Sequence, residues 1–205
     1  NTTITDLSAT AEHVAFVSLE KALPFPIPAG AETALELVPF MHDLNQQVLT
    51  VHGLSQGTYE LAIDDTAVGE FSAVELSVGV NLAANSRTPQ YIQAQTVATA
   101  NEKRHAVIAG KLRGFVKTEL YLKAQKGLDM ADSEAVKQVL NARVQKMKEA
   151  GSPYARYYEG QTKSYIEGKA KEAEYIRQAE EAARVMSASN RPVKHRFVLK
   201  RKPNP

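Results

Sequence analysis

The chain ends on a strand pattern that follows a long stretch of helix pattern, and that order limits the folds open to it. In "KHRFVLKRK", Lys194 to Lys202, the residues His195, Phe197 and Leu199 alternate with Arg196, Val198 and Lys200. Two-residue alternation is the mark of a strand with one buried face. A single strand leaves its backbone donors and acceptors unpaired, so it must join a sheet. The other strand-like segments, "TTITDLS", "HVAFVSLE" and "QQVLTVHGLSQGTYELAIDDTAVGEFS", all lie before residue 73. The chain is therefore expected to return to where it began.

Within the last of those segments, Leu49 and Val51 alternate, and after a turn at Gly53–Gly57 so do Tyr59, Leu61 and Ile63. A third strand carries Val68 and Phe71 beyond an Asp64–Asp65 turn, which reads as an antiparallel meander with one buried face. Between the early strands lies "EKALPFPIPAG", where Pro24, Pro26 and Pro28 surround Phe25 and Ile27. Each proline fixes φ near −65° and lacks an amide donor, so the segment predicts a stiff extended strap that displays apolar side chains. "AETALELVPF" reads as a short helix ending before Pro39.

Ser72 and Glu75 form a capping box that starts a short helix in "AVELSVGVNLA". Thr88–Pro89 opens a longer helix running to about Tyr121. Tyr91, Ala94, Ala98, Asn101, His105, Ile108, Leu112 and Phe115 recur along it at three- and four-residue steps. Asp132 caps a further helix that stops at Gly151, and Ser152–Pro153 restarts one reaching roughly Ser187. Tyr158, Tyr165, Gly168, Tyr175, Ala179 and Met186 share a face of it. The fold class is α+β: a small antiparallel sheet or sandwich over 1–72, a helical excursion over 73–190, and a strand at 193–202 returning to the sheet.

Composition removes several function classes. There is no cysteine, so neither a disulfide framework nor a thiolate metal site is possible. No apolar run approaches eighteen residues, so no membrane span is expected. "NTT" at Asn1–Thr3 fits a glycosylation sequon. The first residue is not Met and no basic-then-apolar leader is present, so the chain is expected to begin inside a longer translated product. Charge is divided: residues 1–100 hold two basic and eleven acidic residues, and residues 101–205 hold twenty-three basic and twelve acidic. Such asymmetry fits either two halves that attract each other or a polyanion partner. The first reading is preferred, and nucleic acid is not the expected partner.

No catalytic constellation is complete. The sequence lacks a G-x-S-x-G elbow, an H-E-x-x-H helix and a phosphate loop. The five histidines, His13, His42, His52, His105 and His195, are not at ligand spacing, so no metal is expected and no cofactor either. "NEKRH", Asn101 to His105, is the one pattern with binding potential. Asn101 and His105 lie one turn apart on the apolar stripe and are expected to point inward as a bonded pair. The functional alternative has Asn101, Arg104 and His105 lining a cleft shared with another domain. Gly110 and Gly114, one turn apart, predict close packing or a kink. Tyr154, Tyr157 and Tyr158, interleaved with Arg156, fit a helix contact or a stacking surface for sugars or bases.

Read in order, "NTTITDL", "VAFVSLEKALPFPIP", "ALELVPFMHDLNQQVLTVHGLSQGTYELAIDDTAVGEFSAVELSVGVNLA" and "TPQYIQAQTVATANEKRH" resemble the C-terminal part of a subgroup of bacterial SGNH (GDSL-type) hydrolases. The closing "RPVKHRFVLKRK" is similar to their final strand. In that family the α/β hydrolase domain precedes this region and carries a G-D-S nucleophile motif, a G-x-N-D segment and a D-x-x-H pair. None of these occurs here, and no Asp has a His three residues later. The resemblance therefore implies an esterase as the parent polypeptide and assigns no catalytic residue to this chain. It implies an accessory region that shapes or covers the active site and helps orient an ester or acylated saccharide. The implied partner is a hydrolase domain preceding Asn1 or on another chain, against which the strap would lie. The expected compartment is secreted or periplasmic. The competing reading is a binding or assembly module whose basic helices hold an anionic polymer or a partner protein.

Overall fold

The sheet is assembled from strands at both ends of the chain. A computed structural model describes residues 1–203. Thr2–Ala9 (β1) and His13–Glu20 (β2) form a first hairpin. A 3-10 turn at Glu32–Glu36, a one-turn helix at Phe40–Asp43 (α1) and the two-residue strand Val48–Leu49 (β3) lead to a second hairpin, Thr58–Ile63 (β4) and Thr66–Ser72 (β5). Ala73–Val78 (α2) and Val80–Asn81 (β6) follow. The helices are Pro89–Val107 (α3), Arg113–Lys123 (α4), Ser133–Glu149 (α5), Ala155–Gly168 (α6) and Glu172–Ser189 (α7), and Lys194–Arg201 (β7) closes the fold. The fold is α+β. Two units are distinct: residues 1–99 with the segment from Met186 onward, and residues 100–185. The two boundaries fall inside α3 and α7.

In the first unit the sheet order is β1-β2-β7-β4-β5, with every neighbouring pair antiparallel. The closing strand thus takes the central position, and its alternation explains why. Phe197 and Leu199 are buried and sit in register with Phe16 and Leu61 of the neighbouring strands. The Phe16 and Phe197 rings stack at 4.9 Å. Tyr59, Leu61, Ile63 and Leu76 of α2 complete a core from which water is excluded. Removing apolar surface from water is worth about 25 cal/mol per Å², so this face supplies most of the unit's stability. Two cations at the end of the closing strand are matched by acids: Arg201 pairs with Glu12 at 2.7 Å and Lys202, just beyond the strand, with Glu70 at 2.6 Å. Part of the charge division in the sequence is therefore neutralised inside the sheet.

Several elements depart from the sequence reading. β3 does not join the main sheet as the start of a meander; it pairs with β6 in a separate two-stranded ribbon. Gly79 makes that possible. It stands at φ 109 after α2, and a Cβ there would lie 2.8 Å from Val48 Cγ1. The short helix before Pro39 forms as a 3-10 turn at Glu32–Glu36, and Pro39 itself stands at the N-cap of α1, the end of a helix at which a missing amide donor is harmless. β1 is exposed at all eight positions, and a bulge between Thr5 and Ser8, with Asp6 at φ 55, interrupts its register. Bulges of this kind are common on sheet edges.

The second unit packs α4, α5 and α6 around Phe115, Leu122, Val136, Leu140 and Tyr165. Asp132 caps α5 by accepting from the Glu134 and Ala135 amides, both at 3.0 Å. Gly168 lies beneath the Phe115 ring, where a Cβ would stand 2.9 Å from Cζ. The helix from Pro89 continues beyond Tyr121 to Lys123, but through a π-helical turn at Ile108–Leu112. Gly114 faces the Gln161 side chain closely, whereas Gly110, inside the π turn, has open space around it. Close packing therefore accounts for one glycine and the π distortion for the setting of the other.

The stripe through Asn101 and His105 is not buried. The protected side of α3 runs instead through Gln90, Ala94 and Ala100, while Asn101 and His105 are exposed. The reason is local. This part of α3 carries the chain from one unit to the other, and no residue from 83 to 111 belongs to or packs against either core cluster.

Candidate functional site

The best-defined acid–base pair joins a turn to the closing strand. The Asp64–Asp65 turn has φ values of 48 and 64, the left-handed pair of a type I′ hairpin turn. That backbone aims the Asp64 carboxylate back across the sheet end. It accepts from the Arg196 amide at 2.8 Å and lies 2.6 Å from His195 Nδ1. An ionised carboxylate only accepts, so Nδ1 carries the proton. Partial burial raises the Asp64 carboxyl, and the His195 hydrogen bond, the Arg196 amide and the His195 charge outweigh it, leaving the group below its usual value.

This pair does not form a hydrolytic triad. Ser18 stands opposite His195 in the β2–β7 register, but its hydroxyl bonds Glu20 at 3.4 Å, and His195 Nε2 is buried without a partner among the described residues. A general base must reach the proton it removes, and here the base is closed off on the core side of the sheet. The geometry fastens the hairpin turn to β7. The turn at Asp64–Asp65 and the alternation at His195 are both legible in the sequence, but no local signal shows that they meet.

A second polar centre holds the proline strap. Asn45, 3% exposed, grips Phe25 from both sides: the Phe25 amide donates to Oδ1 at 2.8 Å and Nδ2 donates to the Phe25 carbonyl at 2.9 Å. The side-chain amide thus imitates a strand neighbour for a segment whose prolines cannot pair normally. Asn81 extends the network. Its Nδ2 donates to the Asn45 carbonyl at 3.0 Å, and its Oδ1 accepts from the Gln47 amide at 2.9 Å. Strap, α1 and the β3–β6 ribbon are fixed together by two asparagines. Phe25 is exposed, as the strap reading expects, with its ring edge against Phe40 at 5.6 Å, while Ile27 is half-buried.

The second unit contains an arginine between two tyrosines. The Arg143 guanidinium lies 3.8 Å from the Tyr121 ring centre and 4.1 Å from that of Tyr158. Tyr158 thus serves a helix contact, with Arg143 and not Arg156 as its cation, while Tyr154 and Tyr157 are exposed. Nearby in sequence to α6, Lys169 is held between Glu119 and Glu172. Burial lowers the Lys169 ammonium, and the two carboxylates outweigh this and raise it. A lysine so paired is not available as a nucleophile.

The candidate binding residues Asn101, Arg104 and His105 lie on one turn of α3. Asn101 and His105 are exposed and Arg104 is half-buried, and none enters a side-chain hydrogen bond or ion pair among the described residues. The expected Asn101–His105 bonded pair does not form. Among the described residues no group of three His, Asp or Glu side chains is placed to hold a metal ion. Among the described residues no helix is long and apolar enough to cross a membrane.

No protein-family model matches this sequence, and no curated protein matches it. Among solved structures, the chain is similar to BT4096, described as a gut microbial diltiazem-metabolizing enzyme, at 27% identity and a TM-score of 0.76. The match covers 98% of this chain and 46% of that one. This chain therefore spans about half the length of the enzyme it resembles.

Proposed function

We propose that this chain is the accessory region of an ester hydrolase of the SGNH (GDSL) type, shaping or covering the active site and not cleaving substrate by itself. The observation that carries the reading is the asymmetry of the match: nearly all of this chain aligns with under half of an enzyme. A unit whose histidine in the acid–base pair is buried, and whose sequence has no nucleophile motif, fits the half that does not do the chemistry. The motif order from "NTTITDL" to "NEKRH" supports the SGNH assignment, and an ester or acylated saccharide is the substrate class that goes with it. In that setting Asn101, Arg104 and His105 are free of structural duty and suited to line a substrate cleft.

The test is turnover of short-chain aryl esters by the purified 205-residue chain and by the complete product of its gene. The chain alone is expected to be inactive and the complete product active. Hydrolysis by the chain alone that survives repurification, and is lost on replacing one of its serines, overturns the reading.

A further inference from the structure

The first unit keeps one core inside and shows another outside. Phe25, Leu37, Leu44, Val48, Val74 and Val78 are each more than half exposed. They are not scattered. Val74 and Val78 lie one turn apart on α2, opposite the fully buried Leu76. Val78 precedes Gly79, which closes against Val48. Leu44 ends α1 beside Asn45, and Asn45 holds Phe25. Leu37 leads into the same helix through Pro39.

The backbone beneath these side chains is tied down, with Asn45 and Leu76 buried, although the side chains themselves meet solvent. The Asn45–Asn81 network, the prolines and the α2 capping box all restrict backbone motion. Ordering that much backbone to leave apolar residues in water is unfavourable for an isolated unit. It becomes favourable when a partner removes the area from water, with the ordering cost already met.

We propose that this face is the docking surface for the catalytic domain of the same enzyme, an inference that rests on the accessory-region reading. The occupant follows from the proportions of the match, since 46% coverage leaves more than half of the related enzyme outside it. The six residues are Leu, Val and Phe, so the complementary surface must offer apolar side chains, with polar partners at its edge for the exposed His42, Asp43 and Glu75 beside them.

Hydrogen–deuterium exchange on the 205-residue chain and on the complete gene product tests this. Amides in residues 23–49 and 73–81 are expected to slow by about tenfold or more in the complete product. Leu44→Asp and Val78→Asp change exposed positions, so each is expected to leave the melting temperature of the 205-residue chain unchanged and to abolish the added protection in the complete product. Unchanged exchange in the complete product, or a complete product without a second domain, overturns the proposal. So does self-association of the 205-residue chain in sedimentation that Leu44→Asp removes, because the occupant is then a second copy. Exchange reports docking whether or not esters are cleaved. A protected face without ester turnover overturns the esterase assignment alone, and turnover with an unprotected face overturns the docking surface alone.

Discussion

Asp64 and His195 are separated by 131 positions and meet at 2.6 Å. The contact fixes the β4–β5 turn to the central strand at the point where the chain re-enters the sheet. Its strength depends on a carboxylate that stays ionised, because only the charged form accepts from Nδ1 and from the Arg196 amide together.

The pH dependence follows from the direction of the Asp64 shift. A carboxyl whose folded value lies below its unfolded value of about 3.9 stabilises the fold above that value. The contribution is lost as pH falls through the folded value. Asp64→Asn retains the left-handed turn, since Asn tolerates positive φ, but removes the charge. The variant is expected to be less stable near neutrality and to show a flatter acid limb than the parent. Thermal melts from about pH 2 to about pH 7 check this, and parallel acid limbs would assign the loss to another group.

Asn45→Ala removes both hydrogen bonds to the Phe25 backbone. It should lower stability by about 1–3 kcal/mol in urea unfolding, the usual cost of leaving buried polar groups unpaired. The strap should also become a preferred cleavage site, with limited proteolysis moving to residues 22–30. A destabilised variant with an unchanged cleavage map would mean that the prolines alone hold the strap.

Two helix glycines should respond in opposite directions. Gly168→Ala drives a methyl into the Phe115 ring and is expected to cost about 1–3 kcal/mol through overpacking. Gly110→Ala meets open space and is expected to stabilise by up to about 1 kcal/mol through helix propensity. Chemical denaturation of the two variants side by side separates the effects.

Exposure makes Asn101 and His105 dispensable for folding. Asn101→Ala and His105→Ala should each change stability by less than about 0.5 kcal/mol, as substitutions on open surface do. If the pair lines a substrate cleft in the complete enzyme, the same variants raise KM there while leaving its melting temperature unchanged. A drop of more than about 1 kcal/mol in the 205-residue chain would restore the buried-pair reading.

Local signals suffice for β4, β7 and the helix caps. Tyr59, Leu61, Ile63, Phe197 and Leu199 alternate because one face of each strand must leave water, and that requirement is written along a single segment. Ser72, Thr88 and Asp132 were recognisable because a cap bonds an amide two or three residues away. The need for the closing strand to rejoin the sheet was also legible, since no isolated strand is stable. Its central position was not. That position depends on Phe197 stacking on Phe16 and on Arg201 and Lys202 finding Glu12 and Glu70, contacts between segments far apart in sequence. The same limit hid the Asp64–His195 contact, the Asn45 grip on Phe25 and the Arg143 stack between Tyr121 and Tyr158. It also explains the misreading of Asn101 and His105. Helical spacing shows which residues share a face, but only tertiary packing decides whether that face meets a core or water.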